Sequence, residues 1–271
     1  MSTRLEAFRT KAEDLVNAHP IVRANSYCAW FAQGDLCRDD VRHLTVQFSV
    51  FSQWFIQAQL RKVLNATSLE SYREGKEILM NELGVVFRAD SPGRTAGKDV
   101  DPELVGVEGT VEGGTYHHRA AHFEWLIRFA EPLGLGFNAL GKRRHGTPST
   151  LHFVDELSRI YGSEDYSTGA GASYAVEHWA NAGFWKQLVA GLKAFKEKEG
   201  LDLSLGFWTW HDQLEQQHAD HTDEELEEAF AHPEFDPDRF LAGAREMLDG
   251  VQVFWEGLAR DAGLAVTAKT Q

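Results

Sequence analysis

Only two cysteines occur in this chain, Cys28 and Cys37, and they do not form a Cys-x-x-Cys pair. That excludes a disulfide framework and a thiolate-built metal site, so any metal must be held by nitrogen and oxygen. Both cysteines read as small buried hydrophobes, with a nucleophilic thiol as the alternative. Positive charge is also scarce: 27 Lys and Arg stand against 41 Asp and Glu, for a formal net charge of −14. Nucleic acid and anionic membrane surfaces, which need a basic face, are poor partners for such a chain. No apolar run approaches the roughly 18 residues of a membrane span. The opening Met-Ser-Thr-Arg-Leu-Glu-Ala carries charges where a signal peptide needs an apolar stretch, so the expected location is the cytoplasm. With no Ser/Pro-rich or low-complexity break, residues 1–271 read as a single domain. Its 43% hydrophobic, 25% charged and 11% aromatic residues are the composition of a soluble, enzyme-sized protein that can bury a sizeable core.

Alternating strand patterns joined by hairpin turns are missing as well, while apolar residues recur at steps of three and four, which predicts an all-α fold. Asp39 or Asp40 can cap a long helix carrying Val41, Leu44, Phe48, Phe51, Phe55 and Leu60, and Ser68 or Ser71 can open the next, which stops at Gly84. The periodicity fails from Val85 to Gly114, where Ser91-Pro-Gly, Gly97, Gly106, Gly109 and Gly113-Gly114 mark an irregular insertion, a loop or at most a short helix. Helix is expected again from Tyr116 to Leu133, broken at Gly134, and from near Thr150 through Tyr161. One helix from about Ala172 to Lys198, another from about Gly206 to Phe230, and a last one opened by Asp236-Pro237 and ending near Leu258 complete the chain, with a short tail over about 262–271.

The chemistry concentrates in His211-Asp-Gln-Leu-Glu215-Gln-Gln-His218. At about 100° per residue, positions i, i+4 and i+7 of a helix fall within roughly 60° of one another. Two imidazoles and a carboxylate on one face suit iron, manganese or zinc. The same pattern also arises on a solvated face, in a fold-bracing zinc site, or in a buried polar network that sets helix register. Further donors would be Glu or His residues in apolar surroundings on neighbouring helices. Glu177 in Tyr-Ala-Val-Glu-His-Trp-Ala, Glu82 in Leu-Met-Asn-Glu-Leu-Gly, and His122 in Ala-Ala-His-Phe-Glu-Trp-Leu meet that test, and each taken alone also reads as a satisfied core polar residue. A carboxylate-rich six-ligand shell suggests two metals, with di-iron a natural choice for activating O2. The ferritin-like pattern needs two Glu-x-x-His motifs, and the chain has one, Glu215 to His218.

Asn81-Glu82-Leu-Gly84, His122 with Leu126, Arg128-Phe129 and Leu133-Gly134-Leu135, the mid-helix Glu177 and His211-x3-Glu215-x2-His218 together resemble the heme-oxygenase-like di-iron oxidases and oxygenases, a superfamily that includes TenA, PqqC and CADD proteins. The resemblance spans most of the chain. It implies a single heme-oxygenase-like bundle of about seven to eight helices. It also implies one iron held by Glu82, His122 and a bridging Glu177, and a second held by His211, Glu215 and His218. Two departures stand out: the family usually has Asp where this chain has Glu215, and its first Glu and first His usually lie about two turns apart on one helix. Glu77, His117, His118 and His221 are therefore secondary candidates.

The implied activity is O2-dependent oxidation of a small organic molecule, first an amino acid or amine, by N-oxygenation, C–C cleavage or desaturation. It would use two Fe(II)/Fe(III) ions as cofactor and O2 as co-substrate. The implied partners are that substrate, an external electron donor and a second copy of the chain in a homodimer. Gln47, Phe51 and Trp54 on the long second helix, with Tyr174 one turn before Glu177, are expected to line a substrate pocket, although core packing explains the aromatics as well. The alternatives are a metal-free TenA- or PqqC-like enzyme of cofactor metabolism, or a helical protein with a structural metal.

Overall fold

Local sequence starts each helix in a recognisable way. The computed structural model describes residues 3–88, 115–118 and 120–265, apart from the side chains of residues 70, 74, 86–88, 115–118 and 213–225. Helices α1 (Thr3–Ala18), α2 (Pro20–Arg23) and α3 (Ser26–Phe31) lead into the long α4 (Arg38–Leu64). Asp39 and Asp40 do not cap α4. Cys37 stands at the cap, and its backbone N–H donates to Asp40 Oδ2 at 2.8 Å, as in a capping box run from the third helical position. Ser68 caps α5 (Leu69–Glu82) by accepting from Ser71 N at 3.0 Å, and Gly84 ends it at φ +69°, a left-handed value that Gly adopts without strain.

The expected irregular stretch after Gly84 opens and closes as a strand pair. Val85–Arg88 (β1) runs antiparallel to Thr115–His118 (β2), with Val85 opposite His118 and Arg88 opposite Thr115. Helix therefore does not resume at Tyr116. It resumes at His122, as α6 (His122–Ala130), followed by a 3-10 turn at Glu131–Leu133 and a stop at Gly134, φ +75°. The four-residue β2 is too short for its period to be told from helix in the sequence.

Helix α7 (Pro148–Glu156) continues into a π-helical turn at Leu157–Tyr161. The single helix expected over 172–198 is two, α8 (Tyr166–Ala180) and α9 (Phe184–Glu199), because Gly183 at φ +88° breaks the run. Apolar residues continue with helical spacing on both sides of that break, which hid it. Helices α10 (Gly206–Ala231) and α11 (Pro237–Asp261) complete the fold, the latter capped by Asp236, which accepts from Asp238 N and Arg239 N. The eleven α-helices among the described residues exceed the seven to eight expected, mainly because short segments precede α4 and α8 and α9 are separate. No helix among the described residues is long and apolar enough to cross a membrane.

Helix α11 is the axis of the packing, against α8, α7, α1 and α3, and a single apolar core runs from Phe8 to Ala259. Phe48, Phe153, Trp208, Phe254 and Trp255 lie fully buried within it. Helices α8 and α11 can cross closely because they meet at glycines. A Cβ at Gly171 would lie 2.0 Å from Phe240 O, and one at Gly243 would lie 2.4 Å from Thr168 O. Helix α10 packs against both α6 and α8, which brings the segments carrying His211, His122 and Glu177 to one region.

Candidate metal centre

The insertion does not separate Glu82 from His122. Pairing of β1 with β2 returns the chain beside its point of departure, three residues after Glu82 and four before His122. Glu82 Oε2 stands 3.1 Å from His122 Nδ1, with the two side chains only 15% and 6% exposed. Despite that closeness, Nδ1 makes no hydrogen bond among the described residues. Two donors on one ion, each bonded at about 2.0–2.2 Å, stand roughly 3.0–3.5 Å apart. The 3.1 Å separation falls in that range. A buried imidazole nitrogen left without a partner costs about 1–3 kcal/mol, and coordination would remove that cost. The separation thus suits two donors to one metal as well as an ion pair.

His211 joins this pair from α10. Its ring meets that of His122 edge to face, with centroids 5.1 Å apart. His211 Nδ1 lies 2.6 Å from Phe207 O one turn earlier. A carbonyl can only accept, so Nδ1 carries the proton and Nε2 presents its lone pair, the tautomer a metal requires. Aromatic rings hold both imidazoles in place: Trp185 stacks on His211 at 4.7 Å, Trp125 stacks on His122 at 5.0 Å, and Trp210 lies 4.5 Å from His122. Nothing in the sequence marks Trp125, Trp185 or Trp210 as walls of the site. Trp125 follows His122 by three residues, Trp210 directly precedes His211, and Trp185 is the second residue of the separate helix α9, so local pattern carries no signal of what they face.

Glu177 is half-buried on α8, beside His178, whose Nδ1 lies 3.0 Å from Tyr174 O. Glu215 and His218 belong to α10, which is one uninterrupted helix over the expected stretch, but their side chains lie outside the described residues, as does that of His221. The side chains of His117 and His118 also lie outside them, and Glu77 is exposed on α5. Among the described residues no three His, Cys, Asp or Glu side chains close on a single point.

The four residues expected at a substrate pocket divide. A cavity of about 450 Å³ between the end of α4, the start of α5, the π-helical turn, α8, α10 and α11 is lined by Tyr174, and not by Gln47, Phe51 or Trp54. Gln47 instead ties down the start of α7. It donates to His145 O at 2.9 Å and accepts from Thr147 N and Thr150 Oγ1, both at 2.8 Å. Phe51 packs on Phe48, Phe153 and Phe254, and Trp54 Nε1 donates to Gly141 O. A polar residue on a helix of aromatics signals a pocket and a buried loop anchor equally well, and here the second holds.

No family model and no curated protein sequence matches the chain. Solved structures do. A CADD-like protein of unknown function from Nostoc punctiforme PCC 73102 aligns at 17% identity and a TM-score of 0.61, covering 96% of this chain and 99% of that one. A second structure of that protein aligns at 18% identity and 0.58. A domain of unknown function with a heme oxygenase-like fold from Shewanella denitrificans OS217 aligns at 13% identity and 0.60, covering 96% of this chain and 93% of that one. Near-complete coverage in both directions, together with the predominantly helical architecture, establishes that this chain has the heme-oxygenase-like fold.

Proposed function

We propose that the chain is a non-heme di-iron oxidase or oxygenase that uses O2 to oxidise a small organic substrate, an amino acid or amine. The convergence of Glu82 Oε2 on Nδ1 of buried His122, which makes no hydrogen bond among the described residues, carries this reading. In it, Glu82, His122 and Glu177 would hold one iron, and His211, Glu215 and His218 would hold the second. When bound, the iron pair supplies the electrons that reduce O2, a capacity that no side chain here has. The chain's own residues supply placement and exclusion of water. Phe207 O keeps the His211 proton on Nδ1, and Trp125, Trp185 and Trp210 fix the two imidazole planes and wall them from solvent.

The TenA-like form of the metal-free alternative uses a nucleophilic cysteine. Cys28 is fully buried, and burial pushes its thiol well above the ordinary range, the opposite of what a nucleophile requires. Cys37 is exposed at the opening of α4, where its residue serves as the cap.

Anaerobic titration with Fe(II), followed by addition of air at an oxygen electrode, tests the reading. Two irons bound per chain and O2 uptake dependent on iron are the expected result. Binding of a single zinc with no O2 uptake would move the site to a structural role. His211→Ala and Glu177→Ala should each lose iron loading and O2 uptake while the helical circular-dichroism signal stays near that of the parent. Full turnover in either variant would sink the ligand assignment.

A further inference from the structure

Residues 132–154 contain no Asp or Glu, in a chain that has 41 of them, and carry Lys142, Arg143 and Arg144 in succession. The fold seats this stretch beside the candidate metal centre. Gly141 rests on Phe123, the residue after His122, so closely that a Cβ there would lie 2.8 Å from the ring. Two arginines of α4 hold the start of the stretch, Arg38 donating to Pro132 O at 3.2 Å and Arg42 to Leu133 O. Phe137 stands out from it, 56% exposed, and its ring meets that of Phe123 edge to face at 6.1 Å. Lys142 places its ammonium 4.6 Å over the Phe137 ring, and exposed Arg144 donates to Asn138 O at 3.2 Å. Neither of these two cations has a carboxylate partner among the described residues. The nearest carboxylates in sequence are engaged or stand at the edges: Asp155 accepts both bonds from Arg143, Glu124 accepts from Ala121 N, and Glu131 and Asp39 are exposed beside Pro132 and Arg38. An exposed aromatic ringed by cations has the make-up of an interface centre with a charged rim. On a chain of net charge −14, it is a face that an acidic partner can approach without repulsion.

We propose that this face docks an acidic one-electron carrier protein, with Phe137 at the centre of the contact and Lys142 and Arg144 facing carboxylates of the carrier. The carrier's role rests on the oxidase reading. Insertion of one atom of O2 into a substrate bond releases the other as water and consumes two electrons and two protons that the substrate does not supply. The carrier gives up one electron per encounter and leaves oxidised, and the protons come from solvent. Phe137 and Phe123 place the docked carrier over α6, on the side that carries His122. Docking itself needs no metal.

The test immobilises the full chain and measures binding of a plant-type [2Fe–2S] ferredoxin and of a flavodoxin, both acidic carriers, by surface plasmon resonance. At least one should bind at low salt and weaken by about tenfold or more as NaCl rises from about 20 to about 300 mM, since the contact is charged and exposed. Lys142→Glu combined with Arg144→Glu should weaken that binding by about tenfold or more, chiefly by slowing association. Lys11→Glu combined with Lys76→Glu makes the same change of net charge at exposed sites on α1 and α5, and should leave binding within about twofold, which separates the face from overall charge. Phe137→Ala should weaken binding at both salt concentrations, and thermal unfolding of each variant shows that it is folded. Binding of neither carrier, equal losses in the two double variants, or tighter binding to phosphatidylserine vesicles than to either carrier would overturn the proposal. Its failure is separable from that of the oxidase reading. Carrier binding at this face in a chain that takes up no iron leaves the docking surface standing and removes the oxidase, and iron and O2 uptake in a chain that binds neither carrier does the reverse.

Discussion

Replacing Gly171 by Ala should destabilise the protein even though helix propensity alone predicts the opposite. In an open helix the change gains up to about 1 kcal/mol. At Gly171 the added methyl would sit 2.0 Å from Phe240 O, and the obstacle is the backbone of the crossing helix α11, which cannot swing away as a side chain tip would. Restoring contact distance means separating α8 from α11 by about 1 Å or more, and overpacking of this kind costs about 1–3 kcal/mol, occasionally more. Because backbone is the obstacle, the upper part of that range applies, and the net loss is about 2 kcal/mol. For a chain of this size that is roughly a 4–8 °C fall in Tm. Gly169, two residues earlier on the same helix, is the control: its Cβ would meet nothing nearer than Tyr161 O at 3.6 Å, so Gly169→Ala should hold or gain stability. Urea unfolding followed by circular dichroism and tryptophan fluorescence reads both. Equal shifts in the same direction, or a Gly171→Ala protein as stable as the parent, would refute the close-crossing argument. Since α8 also carries Glu177 and Tyr174, Gly171→Ala should weaken iron loading more than Gly169→Ala does.

Gln47→Leu keeps the volume and removes three hydrogen bonds, leaving Thr147 N and His145 O without their partner, so a loss of about 2–5 kcal/mol by urea unfolding is expected, with iron binding kept if the chain folds. A loss below about 0.5 kcal/mol would show that the anchor has little weight. Asp165→Ala removes the cap of α8, which accepts from Thr168 N at 2.9 Å, and should cost about 1 kcal/mol in the same assay. Burial pushes the Asp165 carboxyl up, but hydrogen bonds from Thr168 and the adjoining Arg239 guanidinium outweigh it and hold it below the usual carboxylate range. A depressed folded-state pKa gives stability that is present above the unfolded value near 3.9 and lost as pH falls through the folded one, so the gap between parent and Asp165→Asn should be constant at neutral pH and close below about pH 4. A gap that widens in acid would contradict that sign.

Much of the fold could be read from local pattern. The three-and-four spacing of apolar residues, Ser68 and Asp236 as caps, Gly84 and Gly134 as stops, and the His211–His218 run inside one helix each depend on residues within a turn or two of one another, where sequence distance equals spatial distance. What lay beyond that range needed the tertiary structure. Whether Gly183 breaks a helix or sits inside one depends on how α8 and α9 pack, and the apolar period runs across it unchanged. The meeting of Glu82 with His122 depends on strands 27 positions apart pairing in one register, Arg88 with Thr115, information that no single window contains. The roles of Gln47 and Lys62 diverged for the same reason: each is a polar residue on the apolar-rich α4, and only the neighbour each helix face meets, the start of α7 for Gln47 and a cavity for Lys62, decided which one anchors a loop and which one lines a cavity. Local sequence set the helices and their ends because backbone propensity and capping act within a few residues. The site was decided by packing, because its parts come from separate helices and meet only when the core that joins them is formed.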